Sequence, residues 1–128
     1  MIKTLCRSFL GVAIGYFVIV GGTTLLFGLL PNSGDFAASG YIELAVAGFL
    51  VFLCAATAGF LTAKITRKAP FIHAGIIGIL IVAETMWIIS TGSGNAPVWF
   101  DILGGLNLLL GILFGTYLCQ YNKLKFLS

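Results

Sequence analysis

Four stretches of this chain, at 9–30, 41–63, 70–90 and 97–120, are almost free of charge and rich in Leu, Ile, Val, Phe, Ala and Gly. A helix rises 1.5 Å per residue, so about 20 apolar residues cross the ~30 Å hydrocarbon core of a bilayer. Each stretch has that length, which predicts four transmembrane helices. Strands are excluded, because an open sheet in lipid leaves backbone groups unsatisfied and these runs are about twice what a barrel strand needs. The breaks agree. Pro31 ends the first run, while Pro70 and Pro97 open the third and fourth, where a missing N–H has no intrahelical partner in any case. The expected fold is all-α: a single domain over 1–128, built as an integral membrane four-helix antiparallel bundle.

A soluble reading fails on charge. Charged residues are 9% of the chain and hydrophobic ones 59%, with a mean hydropathy of +1.10; a soluble domain carries about 25% charge. Four acids and seven bases cannot cover a surface this size, so membrane lipid is the expected partner for most of it. The net charge of +3 does not point to nucleic acid, since the basic residues sit in short clusters between the apolar runs. Lys3 and Arg7 suggest the start of a signal peptide, but the run that follows spans 22 residues against about 7–15 for a cleaved segment. No A-x-A-like site follows it, so it reads as a retained first span. Cys6, Cys54 and Cys119 form no CxxC pair and no metal-ligand spacing. They read as small apolar packing residues in the cytoplasmic half; no metal or cofactor is expected.

Orientation follows from the bases. Lys3 and Arg7 precede span one, Lys64, Arg67 and Lys68 separate spans two and three, and Lys123 and Lys125 follow span four. The loops at 31–40 and 91–96 hold no Lys or Arg. All seven bases thus fall on one side, which the positive-inside rule makes cytoplasmic, with both termini there. Asp35, Glu43, Glu84 and Asp101 fall in the opposite half. Small multidrug-resistance transporters and fluoride channels share the span count and length, but they often insert in both orientations, which requires a weak charge bias. The bias here is complete, and span one lacks the acid that such multidrug transporters carry there.

Small residues let membrane helices approach closely, because apolarity alone does not drive pairing in lipid. Span one puts Ser8, Gly11, Gly15 and Gly22 on one face; span four does the same with Gly104, Asn107, Gly111 and Gly115. The GxxxG pairs Gly11/Gly15 and Gly111/Gly115 both lie toward the cytoplasmic end, which predicts that spans one and four meet there, or that both faces serve another chain. Span two carries a Gly48, Ala55, Gly59, Thr62 stripe and span three carries Gly75, Gly78 and Thr85.

Glu84 is the first candidate for chemistry. It lies about 9 Å inside the outer end of span three, and a carboxylate at the bilayer centre costs about 2.5–3.5 kcal/mol on insertion scales. It serves as a proton, cation or polar-solute site, or else is a protonated acid bonded between helices. Asn107, Thr23 and Thr24 lie at a depth comparable to Glu84, with Glu43 and Asp101 nearer the outer interface; a polar cluster of Glu84, Asn107, Thr23 and Glu43 is one arrangement, although sequence does not say which faces converge. Asn107 reads equally as a bond between helices. His73, one turn into span three, is either a pH-sensitive group or bonded to a backbone carbonyl. With Lys64, Arg67 and Lys68 it marks the cytoplasmic interface, where the bases can meet anionic headgroups. Asp101 suits the first turn of span four. Trp87, Trp99, Tyr41, Tyr117 and Tyr121 sit where an aromatic belt belongs, and Phe36 in the first outer loop can dip into the interface or meet a partner.

Gly59-Phe60, Ala63, Arg67, Pro70 and His73-Ala74 resemble a hairpin of small four-span bacterial membrane proteins of unknown function. The resemblance implies a bacterial inner-membrane protein and no particular activity. Two functions are expected from the chain as a whole. One is an accessory or structural subunit, packed against itself as a homo-oligomer or against a larger membrane complex. The other is an oligomeric transporter or channel for a small solute, proton or cation that uses Glu84. An enzyme is not expected, since the sequence offers no nucleophile–base pair and no metal cluster.

Overall fold

The computed structural model describes residues 2–29, 40–66, 68–92 and 96–125. Expectations for Pro31, Asp35, Phe36 and Arg67 lie outside the described residues. Four helices account for nearly all of the rest: α1 (Ile2–Leu29), α2 (Tyr41–Thr66), α3 (Pro70–Thr91) and α4 (Val98–Lys125). Each is long and apolar enough to cross a membrane. α1 and α4 run past the apolar stretches, beginning before residue 9 and continuing beyond residue 120. Backbone hydrogen bonding continues where apolarity stops, so at 28 residues α1 is about 42 Å long.

Burial is inverted relative to a soluble bundle. Phe17 is 77% exposed and Ile79 71%, whereas Ala55 and Ala58 are wholly buried. Large apolar side chains point outward and small ones form the interior, as expected where lipid is the solvent and close backbone approach holds helices together.

Contacts between elements give the topology. Gly11 lies against Ile65 and Thr66, and Gly22 against Cys54, so α1 and α2 run antiparallel. Gly105 meets Thr85 and Gly78 meets Leu109, so α3 and α4 are antiparallel too. Asn107 bonds to Gly48, and Gly111 and Gly115 follow along Ala55 and Ala56, which makes α2 and α4 parallel. The ends of Arg7, Lys64, Lys68, Lys123 and Lys125 therefore gather at one end of the bundle, here the basic end. Glu43, Glu84 and Asp101 occupy the opposite, acidic half.

The expected meeting of α1 and α4 does not occur. Among the described residues these two helices share no contact, and both pack on α2, from different sides. The reason lies in α2 itself. Ala55-Ala56-Thr57-Ala58-Gly59 places small residues around most of its circumference, so it accepts two glycine faces at once. A Cβ added at Gly11 would stand 2.6 Å from Thr66 Cγ2, and one at Gly15 would overlap Thr62 and Ile77. On the other side, a Cβ at Gly111 would stand 2.6 Å from Ala55 Cβ, and one at Gly115 would run into the Ala56 carbonyl. Buried hydroxyls cross both seams: Thr62 Oγ1 donates to Gly11 O (3.1 Å) and Thr116 Oγ1 to Gly59 O (3.4 Å). Ile77 and Ile112 complete this core. Around the bundle the order is α1, α2, α4, α3, with α2 and α3 also touching across the middle.

The α2–α3 turn is tight. Ala69 adopts a left-handed conformation (φ 46°, ψ 54°) just before Pro70. This region costs a residue with a Cβ about 1–2 kcal/mol. Its carbonyl accepts from Ile72 N and from His73 Nδ1, each at 3.0 Å.

Candidate functional site in the acidic half

Toward the basic end α2 is in close contact with α1 and α4, whereas the acidic half opens. All four helices line a half-open cavity of about 980 Å³ there. α1 supplies Thr23, Thr24 and Phe27, and α2 supplies Tyr41, Gly48, Phe49 and Phe52. Glu84 and Thr85 come from α3, and Trp99, Phe100, Asp101, Gly104 and Asn107 from α4. Bulky side chains at 49 and 52 replace the small belt that α2 presents lower down. The gap between α2 and α4 is here crossed by a side chain, not by backbone contact: Asn107 Nδ2 donates to Gly48 O at 2.8 Å. Asn107 thus bonds helix to helix while also lining the cavity.

Glu84 lies on the cavity wall and is exposed. Its partner is Tyr16, whose hydroxyl donates to Glu84 Oε2 at 3.1 Å. A phenol supplies one hydrogen bond and no countercharge, so the carboxylate is fixed without being neutralised by a base. Two hydroxyls of the lining are committed locally. Thr23 Oγ1 donates to Ile19 O at 2.8 Å and Thr85 Oγ1 to Ile81 O at 2.9 Å, so toward a ligand each hydroxyl can only accept. Glu84, Asn107 and Thr23 thus share one cavity. Glu43 is not among its lining residues. It sits in the first turn of α2, where Gly40 N donates to its Oε2 at 3.4 Å, the reach of an acid to the start of its own helix.

The other sequence candidates separate from this site. Gly11, Gly15, Gly111 and Gly115 are all buried against α2. Lys64 and Lys68 are exposed at the basic end. His73 holds the α2–α3 turn through Ala69 O; a carbonyl only accepts, so Nδ1 carries the proton. His73 and Glu84, three turns apart on α3, do not share one environment with the residues between and beyond them, since Ile77 is fully buried and Trp87 exposed. Cys54, near the midpoint of α2, packs against Gly22 as a small apolar residue would, whereas Cys6 is exposed and departs from the packing role expected of it.

Sequence reasoning missed Tyr16. The available signal was its depth: unlike the tyrosines near helix ends, it lies in the middle of an apolar run, one residue after a glycine that seats its helix on α2. No family model, no curated protein and no solved structure matches the chain.

Proposed function

We propose that this chain is a minimal carrier of a bacterial inner membrane, with both termini cytoplasmic, that takes a small, largely apolar molecule into the cavity of its acidic half. One observation carries this reading: α2 packs closely on both α1 and α4 toward one end, and all four helices line one cavity at the other. A cavity confined to one half of a bundle is compatible with one of the two shapes that alternating access requires. The volume falls within the range of small-molecule sites, roughly 300–1,000 Å³, and Glu84 supplies the fixed polar contact. The charge segregation supports the orientation, with the cavity facing the outer leaflet.

The test fills the cavity without touching the packed end. A Cβ at Gly104 meets nothing within 4 Å, although Gly104 lines the cavity. Purified protein in nanodiscs is expected to bind an environment-sensitive apolar fluorophore such as N-phenyl-1-naphthylamine saturably, near one per chain, above empty discs. Gly104→Leu is expected to weaken that binding at least tenfold. Unchanged binding in a folded Gly104→Leu protein counts against the reading. A reporter fused to the C-terminus tests orientation: green fluorescence with an inactive alkaline phosphatase fusion is expected.

A second reading, an accessory subunit packed on another copy or a larger complex, is favoured by a different feature. An apolar groove of about 440 Å³ runs between α3 and α4, lined by Gly75, Gly78, Ile79, Val82, Leu109 and Leu113. Gly75 has open space above it, as a face awaiting another helix would. The mass of the species extracted natively from membranes discriminates: a larger assembly that Gly75→Leu dissociates supports a subunit, and a monomer unaffected by it does not.

A further inference from the structure

The cavity differs from its surroundings in the sign of its charge. Among the described residues its lining includes two carboxylates, Glu84 and Asp101, and no Lys, Arg or His. The chain reinforces this, since residues 8–63 and 69–122 contain no Lys or Arg at all. The described bases nearest to Glu84 in sequence are His73, eleven positions back on α3 and roughly 16 Å along the axis, and Lys68, just before α3. Among the described residues, Lys and Arg thus lie beyond the cavity, and Tyr16, the hydrogen-bond partner of Glu84, is neutral.

The remaining walls are aromatic. Phe27, Tyr41, Phe49, Phe52, Trp99 and Phe100 all contribute to the lining. Ring faces carry negative potential and attract cations, most strongly where water is excluded. A site made of aromatic rings and uncompensated carboxylates is complementary to one kind of molecule, a bulky cation whose charge is shielded by apolar groups. An inorganic cation would lose its hydration shell among these walls and regain too few oxygen ligands. An anion would meet like charge in a medium of low dielectric.

Resting on the carrier reading above, we infer that the ligand of this cavity is a lipophilic monocation of the quaternary ammonium or phosphonium class, held by aromatic faces with Glu84 as counter-charge and Asp101 as an attracting charge nearer the mouth. Tyr16 is a positioning residue that holds Glu84 Oε2 and leaves the other carboxylate oxygen for the cation.

Three size-matched probes test this: tetraphenylphosphonium (cationic), tetraphenylborate (anionic) and triphenylphosphine oxide (neutral). Binding is measured by quenching of tryptophan fluorescence and by equilibrium dialysis, with protein in uncharged nanodiscs and empty discs as the reference. The cation is expected to bind at least tenfold more tightly than either other probe. Glu84→Gln is expected to bring the cation down to the affinity of the neutral probe, and Asp101→Asn to lower it about threefold. Tyr16→Phe is expected to leave the wild-type preference for the cation over the anion in place while weakening cation binding severalfold; a Tyr16→Phe protein that binds the cation as the wild type does overturns the positioning role. Retained thermal unfolding transitions show that the variants fold. Equal binding of cation and anion, or a cation affinity untouched by Glu84→Gln, overturns the cation assignment while leaving the carrier reading in place. Failure of all three probes, with the N-phenyl-1-naphthylamine signal also absent, overturns the carrier reading itself.

Discussion

Gly104 and Gly115 stand on the same face of α4, eleven residues and three turns apart, yet they meet opposite conditions. A Cβ at Gly115 would be driven into the Ala56 carbonyl, whereas one at Gly104 meets nothing within 4 Å. The same helix is in backbone contact with α2 at one end and separated from it at the other. Residues 55–59 of α2 are all small and meet α4 in backbone contact, whereas in the acidic half Asn107 of α4 reaches Gly48 O of α2 through its side chain. Glycine on both helices therefore does not by itself bring two backbones together: Gly48 and Gly104 each have open space where a Cβ would stand, and both line the cavity.

The contrast predicts graded responses. Gly115→Leu is expected to be the most damaging, because backbone must move to admit the side chain. A loss of about 3 kcal/mol or more, toward the upper end of overpacking effects, should appear as a large fall in the midpoint of unfolding followed by circular dichroism in detergent. Gly104→Leu should change stability by less than about 1 kcal/mol, the scale on which glycine differs from good helix formers. Similar losses in the two variants would break the comparison outright. Gly111→Ala should cost about 2 kcal/mol, since one methyl group must displace Ala55 Cβ, and the same unfolding measurement reads it. Thr62→Val removes the hydroxyl that donates to Gly11 O; interhelical bonds of this kind contribute about 0.6 kcal/mol, up to roughly 1.7. Its unfolding midpoint should fall slightly while binding in the cavity is unchanged. The smallest effect is expected at the turn, and in the other direction. Ala69→Gly relieves a left-handed φ at the cost of unfolded-state entropy, for a net gain of about 0.5 kcal/mol.

The span pattern was legible because it rests on transfer energetics that act on each segment alone. Four apolar runs translate directly into α1 to α4, with Pro70 and Pro97 at the starts of α3 and α4, although the helices overrun the expected spans by several residues at the basic end. Helix pairing was less legible. The GxxxG pairs mark faces that accept a close neighbour, but a glycine face does not choose between neighbours. That choice lay in the run Ala55-Ala56-Thr57-Ala58-Gly59, whose smallness on two sides lets α2 take both faces. In the site, Glu84 stood out through its cost in lipid, and Asn107 and Thr23 through their depth. Glu43, nearer the outer interface, sits in the first turn of α2 and turns to its own helix start. Tyr16 was hidden because tyrosines usually mark interfaces, and only the convergence of α1 on α3 reveals its partner.

The position of α2 has a consequence for biogenesis. α1 can seat on it as soon as that pair of helices has been inserted, but its second small-residue face is destined for α4, the last of the four to be synthesised. Until α4 arrives, that face is bare to lipid and offers the same seat to an α4 from a neighbouring chain. The fold therefore depends on a contact that cannot form until the last helix is made, and the central helix keeps one seat empty through that interval.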